Sequence, residues 1–160
     1  ADLLRKYKVD FEWVVIGIEN EKNKFNDLKR ELFLDGLIKP KGRRQKNEIA
    51  EYYHRSDIYI CTSYEETFGL APAEAIASGL PVICTPCGGP EMYLNKNNGV
   101  FSETCEPEEL ANVIAKWYRK RSFLNYDQNE MHQHIKNNFS AKNYNKRVID
   151  IYKLIANANG

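Results

Sequence analysis

The stretch 57-DIYICTSYEETFGLAPAEAIASGLPVICT-85 decides the fold. Its first seven residues pass from alternating to apolar and are rich in strand-forming types. Pro72 then marks the first turn of a helix, because proline lacks an N–H and clashes inside a helix but not at its start. The helix is expected to begin near Phe68 or Gly69, run to Ser78 and stop at Gly79. A second apolar run, 81-PVICT-85, follows at once. Strand, loop, helix and strand in succession predict parallel strands joined by a crossover helix.

The same alternation continues in both directions. Upstream, 11-FEWVVIG-17 reads as a buried strand, and 21-EKNKFNDLKRELFLDG-36 as an amphipathic helix. That helix carries a stripe of Phe25, Leu28, Leu32 and Phe33 and stops at Gly36. A short strand over 37-LIKP-40 leads to a basic loop, then a helix over 48–55 capped by Asn47. Downstream come a helical turn over 90-PEMYL-94, a strand over 98-NGVF-101 and a helix from Glu106 to about Lys120. Helices near 127–138 and 141–157 close the chain, the last capped by Ser140. The pattern predicts an α/β fold, a doubly wound parallel sheet covered on both faces. Ligands bind such sheets beyond the carboxyl ends of the strands. The loops after Gly17, Pro40, Cys61 and Cys84 are therefore the places for a site.

Composition narrows the function. The 160 residues are 42% hydrophobic, enough for one core, and 23 basic against 22 acidic residues leave a net charge of +1. Nothing there draws the chain to nucleic acid or an anionic surface, and no apolar run is long enough to span a bilayer. The opening Ala-Asp-Leu-Leu-Arg-Lys has no initiator Met and no signal-peptide layout, and reads as the middle of a helix. A fragment of a longer chain is expected. Four cysteines are present; Cys61 and Cys84 fall in apolar runs, as small buried hydrophobes do. Cys84-Thr-Pro-Cys87 spells C-x-x-C, but no second pair accompanies it and Gly88-Gly89-Pro90 stands where a redox helix would open. Reduced thiols without metal are expected.

Within 57–85, Glu66 and Glu74 sit eight residues apart, on either side of the helix start. The amides around Phe68 to Ala71 lack intrahelical partners and carry the positive end of the helix dipole. With Gly69 allowing close approach, they form an anion site that suits phosphate. A carboxylate accepts two hydrogen bonds and a sugar diol donates two. One phosphate cradle flanked by two diol acceptors fits a nucleoside diphosphate sugar. The plainer alternative is an acid-rich helix start with both glutamates solvated.

Glu66-Thr-Phe-Gly-Leu-Ala-Pro-Ala-Glu74, followed by Ala75, Gly79-Leu80-Pro81-Val82 and Gly88-Gly89-Pro90-Glu91, resembles the E-x₇-E signature of retaining glycosyltransferases. The chain is similar in particular to glycosyltransferase group 1, family 4, of the two-domain GT-B fold. The likeness covers nearly the whole chain. Phe11–Gly17 resembles that family's second donor-domain strand, and 139-FSAKNYNKRVIDIYKL-154 its closing helix. The resemblance implies a Rossmann-like, C-terminal donor-binding domain over 1–160. It lacks its first strand, the Arg- and Lys-bearing loop after that strand, and the whole acceptor domain.

The resemblance further implies transfer of a hexose-type sugar from a nucleoside diphosphate sugar to a glycan or lipid acceptor, in polysaccharide or glycoconjugate synthesis. Glu66 would be the catalytic candidate and hold a donor-sugar hydroxyl, and Glu74 would hold the ribose. Amides at Phe68, Gly69 and Leu70 would contact sugar and diphosphate. No cofactor or metal is implied. The acceptor would reach the enzyme through the absent N-terminal domain. A cytoplasmic protein is expected, at the inner membrane face where the full-length enzyme associates peripherally. Two alternatives stay open: a nucleotide-sugar-binding or regulatory module without transfer, and a nucleotide-sugar epimerase of the same fold.

Other residues have weaker claims. The stretch 39-KPKGRRQK-46 holds five cations, most of them expected in a solvated loop, with Arg43 a candidate for the base or phosphates. No aromatics are interleaved there, which argues against nucleic acid. Gly88 and Gly89 are candidates for a loop facing the sugar, or form a tight turn. Glu91 is a cap or faces the ligand. His54, His132 and His134 are expected on helix surfaces, and Trp117 and Tyr118 in packing.

Overall fold

A computed structural model describes residues 1–17 and 22–158. The elements run α1 (Asp2–Lys6), β1 (Trp13–Ile16), α2 (Lys22–Glu31), β2 (Ile38–Gly42), α3 (Lys46–His54), β3 (Tyr59–Cys61) and α4 (Leu70–Ala77). They continue with β4 (Val82–Cys84), a 3-10 turn over Gly89–Met92, β5 (Gly99–Phe101), α5 (Pro107–Lys120), α6 (Gln128–Phe139) and α7 (Ala141–Ala158). Strands and helices alternate as expected, and every strand pair is parallel. Within the described residues, no helix is long and apolar enough to cross a membrane.

The central strand β4 shows why the fold holds. It pairs with β3 on one side and β5 on the other, and all three of its residues are buried. Val82 and Cys84 face one way, toward Ala75, Ile76, Leu80, Tyr93 and Met131 from α4, α6 and the 3-10 turn. Ile83 faces the other way, toward Leu4, Leu110, Ile114 and Ala115 of α1 and α5. The two-residue period of the strand thus feeds two cores, and helices cover both faces.

The sheet is not continuous. β1 pairs only with β2, and β3 only with β4, so two parallel sheets of two and three strands result. Their unpaired edges line one cleft of about 740 Å³. Val14, Val15 and Ile16 of β1 lie on one wall, Tyr59 and Ile60 of β3 on the other, and Ile114 and Trp117 close it. The break falls between β1 and β3.

Several local expectations shift. Helix α2 ends at Glu31 rather than reaching Gly36. Phe33 takes φ +53°, its N–H bonds to Arg30 O and the Leu34 N–H reaches back to Lys29 O at 2.8 Å. Those paired bonds close a helix with a left-handed residue, here without a glycine. In consequence Phe33 is 83% exposed and leaves the apolar stripe, while Leu34 is 2% exposed and enters the core.

Helix α3 starts two residues early. Gln45 is its cap and the Gln45 N–H donates to Glu48 at 2.8 Å, which puts Asn47 inside the first turn. Strand β2 runs on through Pro40, which an edge strand accommodates because it pairs on one side only. Asp127 caps α6, accepting from the amides of Asn129 and Glu130. The loop after Gly17 and the first residue of the expected 21–36 helix lie outside the described residues.

Candidate functional site

The site is built at the carboxyl ends of β3 and β4. Helix α4 begins at Leu70, with Gly69 as its cap in a left-handed conformation at φ +76° and ψ +69°. Pro72 is its third residue and is buried, as the missing N–H allows. Among the described residues, the amides of Phe68, Gly69, Leu70 and Ala71 donate to no backbone carbonyl. A row of free donors at the positive end of a helix is what an anion requires.

Two loops zip together to place that row. The Glu66 N–H donates to Cys87 O at 2.7 Å, and the Gly89 N–H donates to Glu66 O at 2.8 Å. This isolated parallel bridge extends the β3–β4 pairing past the strand ends. Gly89 is buried where an added Cβ would stand 2.5 Å from the Phe68 backbone. Absence of a side chain at residue 89 therefore lets the second loop lie directly on the first. A hydrogen bond from the Tyr93 hydroxyl to Gly69 O, 2.6 Å long, holds the cap from below.

Each carboxylate is placed differently. Glu66 is half-buried, and its Oε1 accepts from the Ser63 hydroxyl at 2.8 Å. Ser63 is fixed in turn, because the buried Thr85 hydroxyl donates to Ser63 O at 2.5 Å. Glu74 is exposed on the second turn of α4 and lines the cleft with Ala71 and Thr62. Tyr53 stands beside it and donates to Ala71 O at 3.2 Å. Burial, reinforced by the Glu74 charge, pushes the Tyr53 hydroxyl up to about 12.

The structure thus brings Glu66, Phe68, Gly69, Leu70, Glu74, Gly88 and Gly89 into one neighbourhood. Gly89 contributes by packing, since its amide is already bonded to Glu66. Gly88 is exposed at φ +94°, and its N–H reaches Glu91 Oε1 at 3.3 Å, so Glu91 acts as a cap. Arg43 stands apart. It follows β2, is exposed, and is not among the residues lining the cleft. Its neighbours are paired, Lys39 with Glu12 and Arg44 with Glu48.

Sequence reading missed three supports. Ser63 stands three residues before Glu66, close enough in sequence for the two side chains to meet across the turn. Thr85 and Tyr93 gave no such signal, because their partners lie 22 and 24 residues away. His134, expected on a surface, is half-buried and bonds to Tyr93 O at 2.9 Å. Beneath the loops, Cys61, Cys84 and Cys87 form the one group of metal-ligand spacing found among the described residues. Closeness to the Cys84 thiol lowers the Cys61 thiol from its ordinary value, and closeness to Cys61 together with burial raises Cys84.

Known proteins resemble this chain in sequence and fold. The chain is 32% identical over 91 residues to D-inositol 3-phosphate glycosyltransferase of Corynebacterium kroppenstedtii, a match spanning 56% of this chain and 20% of that protein. A glycosyltransferase structure from Rickettsia africae superposes with a TM-score of 0.81 at 28% identity, covering 97% of this chain and 42% of that one. The structure of Anabaena HepE with UDP and glucose superposes with a TM-score of 0.77 at 20% identity, covering 94% and 44%. The chain spans between 19% and 36% of the length of the first curated relatives it matches. Residues 1–148 match the family described as glycosyl transferases group 1, and the chain belongs to that family.

Proposed function

We propose that residues 1–160 are the donor-binding part of a retaining glycosyltransferase. The full-length enzyme transfers a hexose-type sugar from a nucleoside diphosphate sugar to a glycan or lipid acceptor held by another domain. The observation that carries this reading is the row of unpaired amides from Phe68 to Ala71, set between Glu66 and Glu74. The amides take the diphosphate, with no metal called for at that position. Glu74 on its fixed helical turn takes the ribose diol. Glu66, pinned by the bridge to Gly88 and oriented by Ser63, takes a hydroxyl of the transferred sugar and is the catalytic candidate. Arg43, exposed on the loop after β2 and outside the cleft lining, is the candidate for the base or phosphates with the weakest geometric support. The relatives support the donor class, since the Anabaena structure carries UDP and glucose.

Calorimetric titration of the full-length enzyme tests these roles. Losing a carboxylate that accepts charge-assisted bonds costs about 1.5–3 kcal/mol, or roughly 10- to 150-fold in affinity. Glu74→Ala should weaken free nucleoside diphosphate and nucleotide sugar alike by that factor. Glu66→Ala should spare the free nucleotide and weaken the nucleotide sugar or slow turnover. The opposite split reverses the two roles. No change in either variant means both glutamates are merely solvated. Release of nucleoside diphosphate only when acceptor is present marks transfer, and sugar interconversion without release marks an epimerase.

A further inference from the structure

The fold gathers three cysteines that the sequence scatters. Cys61 ends β3, Cys84 ends β4, and the two are register partners on adjacent parallel strands, so their side chains share one face. Cys87 returns to the same place because its carbonyl is held by the Glu66 N–H at 2.7 Å. The Sγ atoms of all three lie within 4.8 Å of one another, and Cys84 and Cys87 are 3.7 Å apart. All are buried, with exposures of 5%, 0% and 5%. The C-x-x-C spacing supplies two of these thiols. Only the sheet supplies the third, a neighbour that the C-x-x-C spacing alone does not show.

We propose that Cys61, Cys84 and Cys87 form a three-thiolate site for a thiophilic divalent d10 ion, zinc or an ion of its kind. Sulfurs about 2.3 Å from a shared ion stand about 3.8–4.0 Å from each other in tetrahedral or trigonal coordination. The Cys84–Cys87 separation already meets that spacing, and Cys61 needs only a small approach. Soft sulfur ligands without a carboxylate or imidazole select such ions over hard cations. Charge favours a divalent ion. Three thiols release three protons on binding, leaving one negative charge on the site with a divalent ion and two with a monovalent one. In a buried place the smaller net charge is the cheaper. The bound ion would fasten the loop after β4 to the end of β3, directly beneath Glu66. The site stands independently of the donor reading, since it rests on geometry below the cradle.

The test uses the full-length protein purified under reductant and given zinc, or cadmium as an optical probe, followed by desalting. About one equivalent should be retained, with cadmium giving ultraviolet thiolate-to-metal charge-transfer absorption. Cys61→Ser, Cys84→Ser and Cys87→Ser should each lose the ion and the absorption, whereas Cys105→Ser should keep both. No retention by the unmodified protein overturns the proposal. So does retention that survives Cys61→Ser, which would point to an adventitious ion. Should the serine variants fail to fold by circular dichroism, X-ray absorption on the loaded unmodified protein decides. Three sulfur neighbours support the site, and fewer overturn it.

Discussion

The Tyr93 hydroxyl, donated from the turn after the 3-10 helix, bonds to Gly69 O at 2.6 Å and so fixes the residue that caps α4. The ring is 2% exposed and packs against Phe68 and Phe139, at centroid distances of 5.2 and 5.8 Å. Removing only the oxygen isolates the bond. Tyr93→Phe should lower unfolding stability by about 1–2 kcal/mol in denaturant titration, with an unchanged slope. A change within a few tenths of a kcal/mol would mean the cap is held by packing alone.

Glycines in this region differ in what an added methyl would meet. At Gly89 it meets the Phe68 backbone at 2.5 Å, which cannot swing away. At Gly42 it meets nothing within 4 Å, and only the φ of +67° stands against it. Gly42→Ala should therefore cost about 1–2 kcal/mol of backbone strain, and Gly89→Ala clearly more, with loss of nucleotide binding as the two loops part. Equal melting temperatures for the two variants would contradict the packing argument.

Ser63→Ala removes the hydroxyl that orients Glu66 without touching the amide row. A net contribution of about 0.5–1.5 kcal/mol corresponds to a loss of roughly 2- to 13-fold. It should appear in donor-sugar use by the full-length enzyme, while affinity for free nucleoside diphosphate stays as it was. Equal loss for both ligands would show that Ser63 supports the whole loop rather than one carboxylate.

Alkaline pH should loosen the fold through its tyrosines. Burial raises Tyr53, Tyr59 and Tyr93 above the ordinary value of 10.0, with the charge of Glu74 adding to Tyr53 and nearby Cys and Glu groups to the other two. The folded state then holds these protons more tightly than the unfolded state. Their contribution is complete below pH 10 and is lost as pH climbs toward the folded values, about 12 for Tyr53. Denaturant midpoints should fall above pH 10, with tyrosinate absorbance rising in step with unfolding. Phenolate titration well before unfolding would place these rings in water.

Much of this was readable before any coordinates. Pro72 and Gly79 bracketed α4, and the apolar runs located β3 and β4, because local sterics and periodicity decide those features. The spacing of Glu66 and Glu74 pointed to the loop and helix start that the fold sets at the carboxyl ends of β3 and β4. What escaped reading was long-range or unconventional. Phe33 closes α2 in a conformation usually left to glycine, so Gly36 was the wrong stop. The third thiol, the Thr85 strut and the Tyr93 bond each join residues 20 or more positions apart. Separations of that size are set by strand order, which composition and spacing do not carry.

The divided sheet has a consequence for how the molecule opens. Strand β4 is hydrogen-bonded on both sides and buried on both faces, so its amides belong to the slowest-exchanging unit. Strands β1 and β2 have one partner each and half-buried or exposed residues, so their amides should exchange with solvent by a local opening of far lower free energy. Glu66 and the amide row sit on the slow unit, and Arg43 on the fast one. A donor gripped by the first alone should leave β1–β2 exchange rates untouched, whereas one also gripped by Arg43 should slow them, turning an exchange map into a gauge of how far the ligand reaches.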